Sequence, residues 1–147
     1  MGMFTSFDIN SSGLTAQRYR MDIISENVAN ANTTRTSDGT PYVRKVVTFE
    51  EKGKQTPFSR VLNKSFDRYS GEGVKVGGVY KDTQTEMNMV YDPSHPDADE
   101  NGYVTYPNVN IITEMTNLID ASRAYEANAT AFNATKSMAL KGLSLGQ

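Results

Sequence analysis

The most acid-rich stretch of the chain runs through Tyr91, Asp92, Pro93, Ser94, His95, Pro96, Asp97, Ala98, Asp99, Glu100, Asn101 and Gly102. His95 is the sole histidine of the chain. Asp97-x-Asp99-x-Asn101-Gly102 repeats the first half of a calcium-binding loop, with oxygen ligands on alternate residues and a glycine at the turn. The second half fails. Asn108 occupies the twelfth position, where a bidentate carboxylate belongs, and no helical pattern precedes Asp97. The same residues also fit a rigid turn, in which Pro93 and Pro96 fix φ and the Asp and Asn side chains bond back to nearby backbone. Asp97, Asp99 and Asn101 are therefore metal candidates without a complete ligand set.

Nucleophilic chemistry finds less support. Ser94 adjoins His95 in sequence, whereas a general base must be placed across a fold from its nucleophile. There is no G-x-S-x-G elbow, and no glycine-rich phosphate loop precedes a helix. The carboxylate pairs Glu50-Glu51 and Asp99-Glu100 point opposite ways along an extended chain and are solvated rather than convergent. The chain has no cysteine, which removes disulfides, thiol catalysis and thiolate metal sites together. No catalytic residue and no cofactor are assigned.

Bulk properties narrow the class further. Lys and Arg number 15 against 17 acids, net charge is -2 and pI is near 5.4, with no basic run, so a nucleic-acid footprint is not expected. Apolar stretches are only a few residues long, too short to span a membrane, and the first residues lack the basic and apolar regions of a cleavable signal peptide. Gly2 reads as an ordinary second residue rather than a myristoylation site, and the sequons at Asn10, Asn32, Asn63, Asn128 and Asn133 read as chance. Only 37% of residues are hydrophobic and 22% are charged, at a mean hydropathy of -0.53. This is too little charge for an acidic disordered tail and too little apolar surface for a self-sufficient core. A chain that completes its burial against neighbours has this composition.

The elements that must position these residues follow from periodicity. Phe7, Leu14, Met21 and Val28 recur every seven residues, with Ile24 and Ala31 three beyond the last two and the polar Asn10 and Gln17 in the earlier companion positions. This is a helical stripe with an a/d pattern. Gly13 within it costs about 1 kcal/mol relative to Ala, which predicts a looser start or a close contact. The pattern ends in Asn30-Ala31-Asn32-Thr33-Thr34, whose side chains compete for backbone hydrogen bonds.

The last third repeats the device with Ile111, Leu118, Tyr125 and Phe132, and Met115, Ser122, Ala129 and Lys136 follow four residues after each. Leu140 and Leu143 continue the face once the drift of ~20° per heptad is allowed for. Asn110 is a candidate N-cap, Glu114 lies near the positive helix end, and Lys141-Gly142 is a candidate stop. Between the stripes, Tyr42 to Phe49, Val74 to Tyr80 and Met87 to Tyr91 read as short strands, with Gly77-Gly78 as a bend or hairpin. Residues 50–72 read as a variable surface loop.

The expected fold is α+β. Residues 1–34 and 109–147 form long terminal helices packing as a coiled-coil-like helical domain, and 35–108 form a small β-rich middle. Two terminal stripes could equally make a self-contained bundle. Their placement around a middle of different character favours intermolecular packing instead. The candidate packing residues are Phe7, Leu14, Gln17, Met21, Ile24, Val28 and Asn30, then Ile111, Met115, Leu118, Tyr125, Ala129, Phe132, Leu140 and Leu143.

Two stretches carry a resemblance. SGLTAQRYRMDIISENVANANTTRT (12–36) resembles the N-terminal signature of the bacterial flagellar axial proteins, the rod, hook and hook-associated subunits. The matching residues are Leu14, Ala16, Gln17, Met21, Asn27, Ala29, Asn30, Asn32 and Thr33. The segment from Asn108 to Gln147 resembles the matching C-terminal end through Glu114, Met115, Arg123, Ala124, Tyr125, Ala127 and Asn128. YDPSHPDADENGYVTYPNVN (91–110) is similar to the hallmark loop of a proximal rod member of that family, through Tyr91, Asp92, Pro93, His95, Pro96, Asp97, Gly102, Tyr103 and Pro107. PYVRKVVTF (41–49) and GVKVGGV (73–79) extend the likeness, while residues 50–72 match nothing in it.

The resemblance implies a subunit of the flagellar drive shaft, exported unfolded through the flagellar type III apparatus without a cleaved signal. Its implied partners are copies of itself and other rod proteins, with the base (MS) ring and export apparatus nearby, in the periplasm. Neither nucleic acid nor a small-molecule substrate is implied. Terminal helices would form an inner tube around the export channel with the β-rich middle outside, and the work would be torque transmission without catalysis. The alternatives are another rod or short hook-like axial protein, or a calcium-dependent interaction module built on Asp97, Asp99 and Asn101.

Overall fold

A computed structural model describes residues 3–52 and 73–144 of the chain. Gly2, Asn63, Pro57 and most of the 50–72 loop lie outside the described residues. The element order is α1 (Met3–Ala29), β1 (Lys45–Glu51), β2 (Val74–Lys81), β3 (Asn88–Tyr91), β4 (Tyr103–Tyr106) and α2 (Ile111–Ser144). The fold is α+β, two long terminal helices around a small β-rich middle. At 1.5 Å per residue, the 27 residues of α1 and the 34 of α2 run ~40 and ~51 Å.

Each helix begins or ends where side chains satisfy its open backbone groups. Asn110 Oδ1 accepts from the N–H groups of Ile112 (3.0 Å) and Thr113 (3.2 Å), so it caps α2 as its position predicts. At the end of α1 the Asn30 N–H and Nδ2 both donate to the Glu26 carbonyl, and Thr33 Oγ1 bonds Asn30 Oδ1, the competition that closes a helix. Gly142 does not stop α2, which continues to Ser144. Gly39, Gly73 and Gly102 are the described glycines at positive φ, and Gly142 stays in ordinary helix on a face that Leu143 extends.

The strands form two two-stranded sheets, β1 with β2 and β3 with β4. β1 and β2 run antiparallel, since the Lys52 N–H donates to the Gly73 carbonyl (2.9 Å) and the Asp82 N–H to the Arg44 carbonyl (2.8 Å). The Gly77-Gly78 pair makes no turn. It lies inside the continuous strand β2, where a Cβ on Gly77 would meet Glu50 Cγ at 2.8 Å and one on Gly78 would meet the Tyr80 hydroxyl at 2.9 Å. Close approach therefore selects glycine at these two positions. β3 and β4 pair antiparallel with Tyr91 opposite Tyr103 and Val90 opposite Val104.

By contacts the described residues fall into two compact units, and each draws on the terminal and the middle segments alike. The first comprises residues 3–18, 49–52, 73–77 and 122–144, and the second 19–48 and 78–121. In the first, Phe7 meets Phe132 edge to face at 5.0 Å. A Cβ on Gly13 would come within 3.0 Å of Asn128 Oδ1, so this glycine marks close helix packing rather than a loose start. Ser12 Oγ donates to the Ile9 carbonyl and accepts the Val74 N–H (3.1 Å), which ties the start of β2 to α1. In the second, Ala31, Tyr42 and Val109 form a buried apolar cluster, and Val104 and Ala121 are fully buried.

Candidate functional site

The second unit is organised around a carboxylate. Asn110 fixes the first turn of α2, and that turn carries Glu114 inward to 1% exposure. Burying a charge is costly unless it is paired and hydrogen-bonded. Here Oε1 accepts from Arg44 Nε (2.9 Å) and Nη2 (2.8 Å), and Oε2 accepts from Asn27 Nδ2 (3.0 Å). Two guanidinium N–H groups of Arg44 thus converge on one carboxylate oxygen, and charge-assisted bonds of this kind are stronger than neutral ones.

Asn27, also 1% exposed, extends the network from the last turns of α1. Its Oδ1 accepts the Tyr42 hydroxyl (2.8 Å) and the Lys45 N–H (2.9 Å), while Nδ2 also donates to the Lys45 carbonyl (2.8 Å). Asn108 closes the other side. It accepts the Arg44 N–H (2.9 Å) and donates to the carbonyls of Asp82 (2.8 Å) and Thr85 (3.1 Å). Arg44 Nη1 reaches Asp82 at 3.3 Å, and Glu26 pairs with Lys45 at the edge. One connected set of polar side chains thus joins the end of α1, the entry to β1, the exit of β2 and the start of α2.

The charges set the protonation states. Burial, then the Glu26 and Glu114 carboxylates, push the Tyr42 phenol up from 10.0 to about 12. Burial alone would pull the Arg44 guanidinium down, but bonding to Glu114 and then Asp82 carries it above its ordinary value. Asp82 is held below the usual carboxylate value by the Thr85 hydroxyl first, then by the Thr85 and Gln84 N–H groups and Arg44.

The hallmark loop is consumed by its own turns. The Ser94 hydroxyl, the Ser94 N–H and the neighbouring His95 ring hold Asp92 low. His95 Nδ1 accepts the Asp97 N–H (3.1 Å), and its ring lies 6.4 Å from that of Tyr106. Among the metal candidates, Asp97 accepts from Thr34 Oγ1 (2.8 Å) and faces Arg35 at 3.5 Å. Asp99 Oδ1 accepts the N–H groups of Asn101 (2.9 Å) and Tyr103 (2.8 Å), and the Asn101 side chain is exposed. Among the described residues no three His, Cys, Asp or Glu side chains are grouped so as to hold a metal. Gly102 takes a φ of 80° beside Tyr91 and Pro93, Tyr91 stacks edge to face on Tyr103 at 5.3 Å, and Pro107 is fully buried. Pro96 is exposed.

The candidate packing residues divide by helix. On α1, Ile24 is buried, and Phe7, Leu14, Gln17, Met21, Val28 and Asn30 are half-buried. On α2, Leu118, Ala129 and Phe132 are half-buried, while Ile111, Met115, Tyr125, Leu140 and Leu143 are exposed. Three further apolar residues of α2 stand exposed beside them: Ile112 at 78%, Ile119 at 53% and Met138 at 65%. Gln17 Oε1 is buried without a hydrogen-bond partner.

Two features thus stand out: a buried polar network that fixes the second unit, and a bare apolar face on α2. Known sequences supply the context. Residues 7–35 match the family described as "Flagella basal body rod protein", and residues 100–145 match "Flagellar basal body rod FlgEFG protein C-terminal". The flagellar basal-body rod protein FlgC of Bacillus subtilis (strain 168) is 45% identical across all of both chains. That of Borreliella burgdorferi is 44% identical over 100% of this chain and 99% of its own, and that of Escherichia coli O157:H7 is 41% identical over all of both. The chain belongs to the FlgC family of flagellar basal-body rod proteins.

Membership explains which residues periodicity missed. The network residues Asn27 and Glu114 stand in the stretches that resemble the family, yet Glu114 reads in sequence as a helix-terminus charge and Asn27 lies outside the a/d stripe. Arg44 and Asn108 lie in the PYVRKVVTF and loop segments. The usable signal is polar residues placed where an apolar stripe passes inward. The family models match the two terminal stretches, and the likeness to the relatives runs over the full chain.

Proposed function

We infer that this chain is a structural subunit of the flagellar basal-body rod that polymerises through its terminal helices and catalyses nothing. The observation that carries the reading is the apolar face of α2, where Ile112, Met115 and Ile119 are 78%, 55% and 53% exposed at helical spacing. A monomer leaves such a face bare only at a cost in solubility, whereas an assembling subunit covers it. Heterologous contacts that do not close generate a helical filament. The half-buried stripe of α1 and the exposed stripe of α2 together form the packing surface, with segments 1–34 and 109–147 as the inner helical layer around an export channel and 35–108 outside it.

The partners are copies of this chain and other rod proteins, with the base ring and export apparatus as neighbours at the proximal end. The location is the periplasmic part of the basal body. The buried network serves this role by holding the two helix ends and the adjoining ends of β1 and β2 in one geometry, so that each subunit presents the same surface to its neighbours. Amide hydrogen exchange on the dilute monomer tests the reading. A marked rise in protection of residues 112–140 on assembly is expected, beyond what the folded monomer gives them. Equal protection of that segment in the dilute monomer and in the assembled rod would count against dependence on neighbours.

A further inference from the structure

Two turns in the second unit share one hydrogen-bonding pattern. In the first, the Thr36 N–H donates to the Thr40 carbonyl (2.9 Å), the Gly39 N–H to the Thr36 carbonyl (2.9 Å), and Gly39 adopts φ 76°. In the second, the Asp99 N–H donates to the Tyr103 carbonyl (2.9 Å), the Gly102 N–H to the Asp99 carbonyl (3.0 Å), and Gly102 adopts φ 80°. Positive φ explains the glycines. It also places them directly after Asp38 and Asn101, and Asn101-Gly102 is the sole Asn-Gly step in the chain.

That step carries an intrinsic chemistry. The Gly102 nitrogen, deprotonated and unhindered by a side chain, can attack the Asn101 side-chain carbonyl carbon. The new C–N bond closes a succinimide as ammonia leaves. Water then opens the ring at either carbonyl, giving aspartate or a β-linked isoaspartate. No oxidant or catalyst is needed.

The fold opposes the first step at the nucleophile. The Gly102 nitrogen is held as a donor to Asp99, and the flanking Asn101 and Tyr103 N–H groups are both held by Asp99 Oδ1, at 2.9 and 2.8 Å. Rotating the peptide toward the Asn101 side chain breaks these bonds together. Tyr91 and Pro93 further crowd the turn, since a Cβ on Gly102 would meet the Tyr91 ring at 2.9 Å.

We propose that Asn101-Gly102 is a deamidation site that the Asp99 turn locks in the folded chain and that unfolding releases. The product adds a negative charge beside Asp97, Asp99 and Glu100, and an isoaspartate lengthens the backbone of the turn by one carbon. A chain that lingers unfolded is thereby marked in the loop joining β3 and β4. Asp38-Gly39 is the slower counterpart, losing water instead of ammonia and changing no mass.

Incubating the full chain in mildly alkaline buffer, with and without guanidinium, and mapping residue 101 by peptide mass spectrometry tests this. Conversion should be at least about tenfold slower in the folded chain, the factor produced by a turn ~1.4 kcal/mol more stable than its open form. Equal rates overturn the proposal. Asp99→Ala should raise the folded rate toward the unfolded one, while Asp99→Asn, which keeps a side-chain acceptor, retains most of the protection. An Asp99→Ala chain that is folded by circular dichroism yet equally slow overturns the assignment of the lock to the Asp99 carboxylate. In denaturant Gly102→Ala should suppress conversion, and undiminished conversion there would refute the site.

Discussion

Glu114 shows how a single buried charge can be tolerated. Its carboxylate is 1% exposed and accepts from Arg44 twice and from Asn27 once. Removing one member of such a pair leaves the other uncompensated, so Glu114→Ala should lower unfolding free energy by about 3–5 kcal/mol. Urea melts followed by circular dichroism measure it, and a loss near zero would mean that Arg44 is rehydrated without cost. Tyr42 supplies a pH signature of the same network. Its proton is held to about 12 in the folded chain against an ordinary 10.0, so the unfolded chain releases it first. The contribution is complete below pH 10.0 and disappears as pH rises toward about 12. Tyr42→Phe should cost about 1 kcal/mol below that window, for the hydroxyl lost to Asn27, and flatten the alkaline fall of the melting temperature within it. Little of this was legible in the residue order. Asn27, Arg44 and Asp82 are far along the chain from one another and from the Asn108–Glu114 segment, and their meeting depends on four elements arriving together.

At the scale of elements the sequence said more. The seven-residue stripes forecast both helices, the Asn110 cap is made as its position predicts, and the β-branched runs fall in strands. Gly77-Gly78 misled because glycine pairs suit turns on propensity, whereas here the missing Cβ atoms admit Glu50 and the Tyr80 ring within a straight strand. Gly13 is the more instructive case, being unfavourable to its own helix and suited to the close packing of another. Within the first unit a Cβ there would lie 3.0 Å from Asn128 Oδ1, and Asn128 Nδ2 is itself engaged with the Ala124 carbonyl at 2.9 Å. Gly13→Ala should therefore be close to neutral, because about 1 kcal/mol of helix propensity offsets the displaced amide. Gly13→Leu cannot be absorbed in that way and should destabilise by about 1–3 kcal/mol. Denaturant midpoints of the two variants separate these cases, and equal stability would show that the helices simply move apart.

For the molecule as a whole, the decisive feature is apolar surface that the chain does not cover. The low hydrophobic content anticipated it, but composition could not say where it falls, and the stripe residues of α1 proved largely covered within the chain while those of α2 did not. The difference lies in what faces each helix. Ile24 and Ala16 are turned into buried positions, whereas Ile112, Met115 and Ile119 follow a face of α2 opposite to that of Glu114 and Ala121. Because Glu114 must point inward to meet Arg44 and Asn27, the network itself fixes which face of α2 is left outward. Folding and assembly should then be separable by mutation. Ile112→Asp combined with Met115→Asp removes apolar contacts worth about 1.5–3 kcal/mol each, enough to weaken subunit addition by at least about a hundredfold. Both side chains are exposed in the monomer, so its circular dichroism and melting temperature should be almost unchanged. Complementation of motility and incorporation into purified basal bodies provide the readout. A variant that folds and still assembles would place the interface elsewhere on the chain, and one that loses its monomer fold would mean that this face is already used within it.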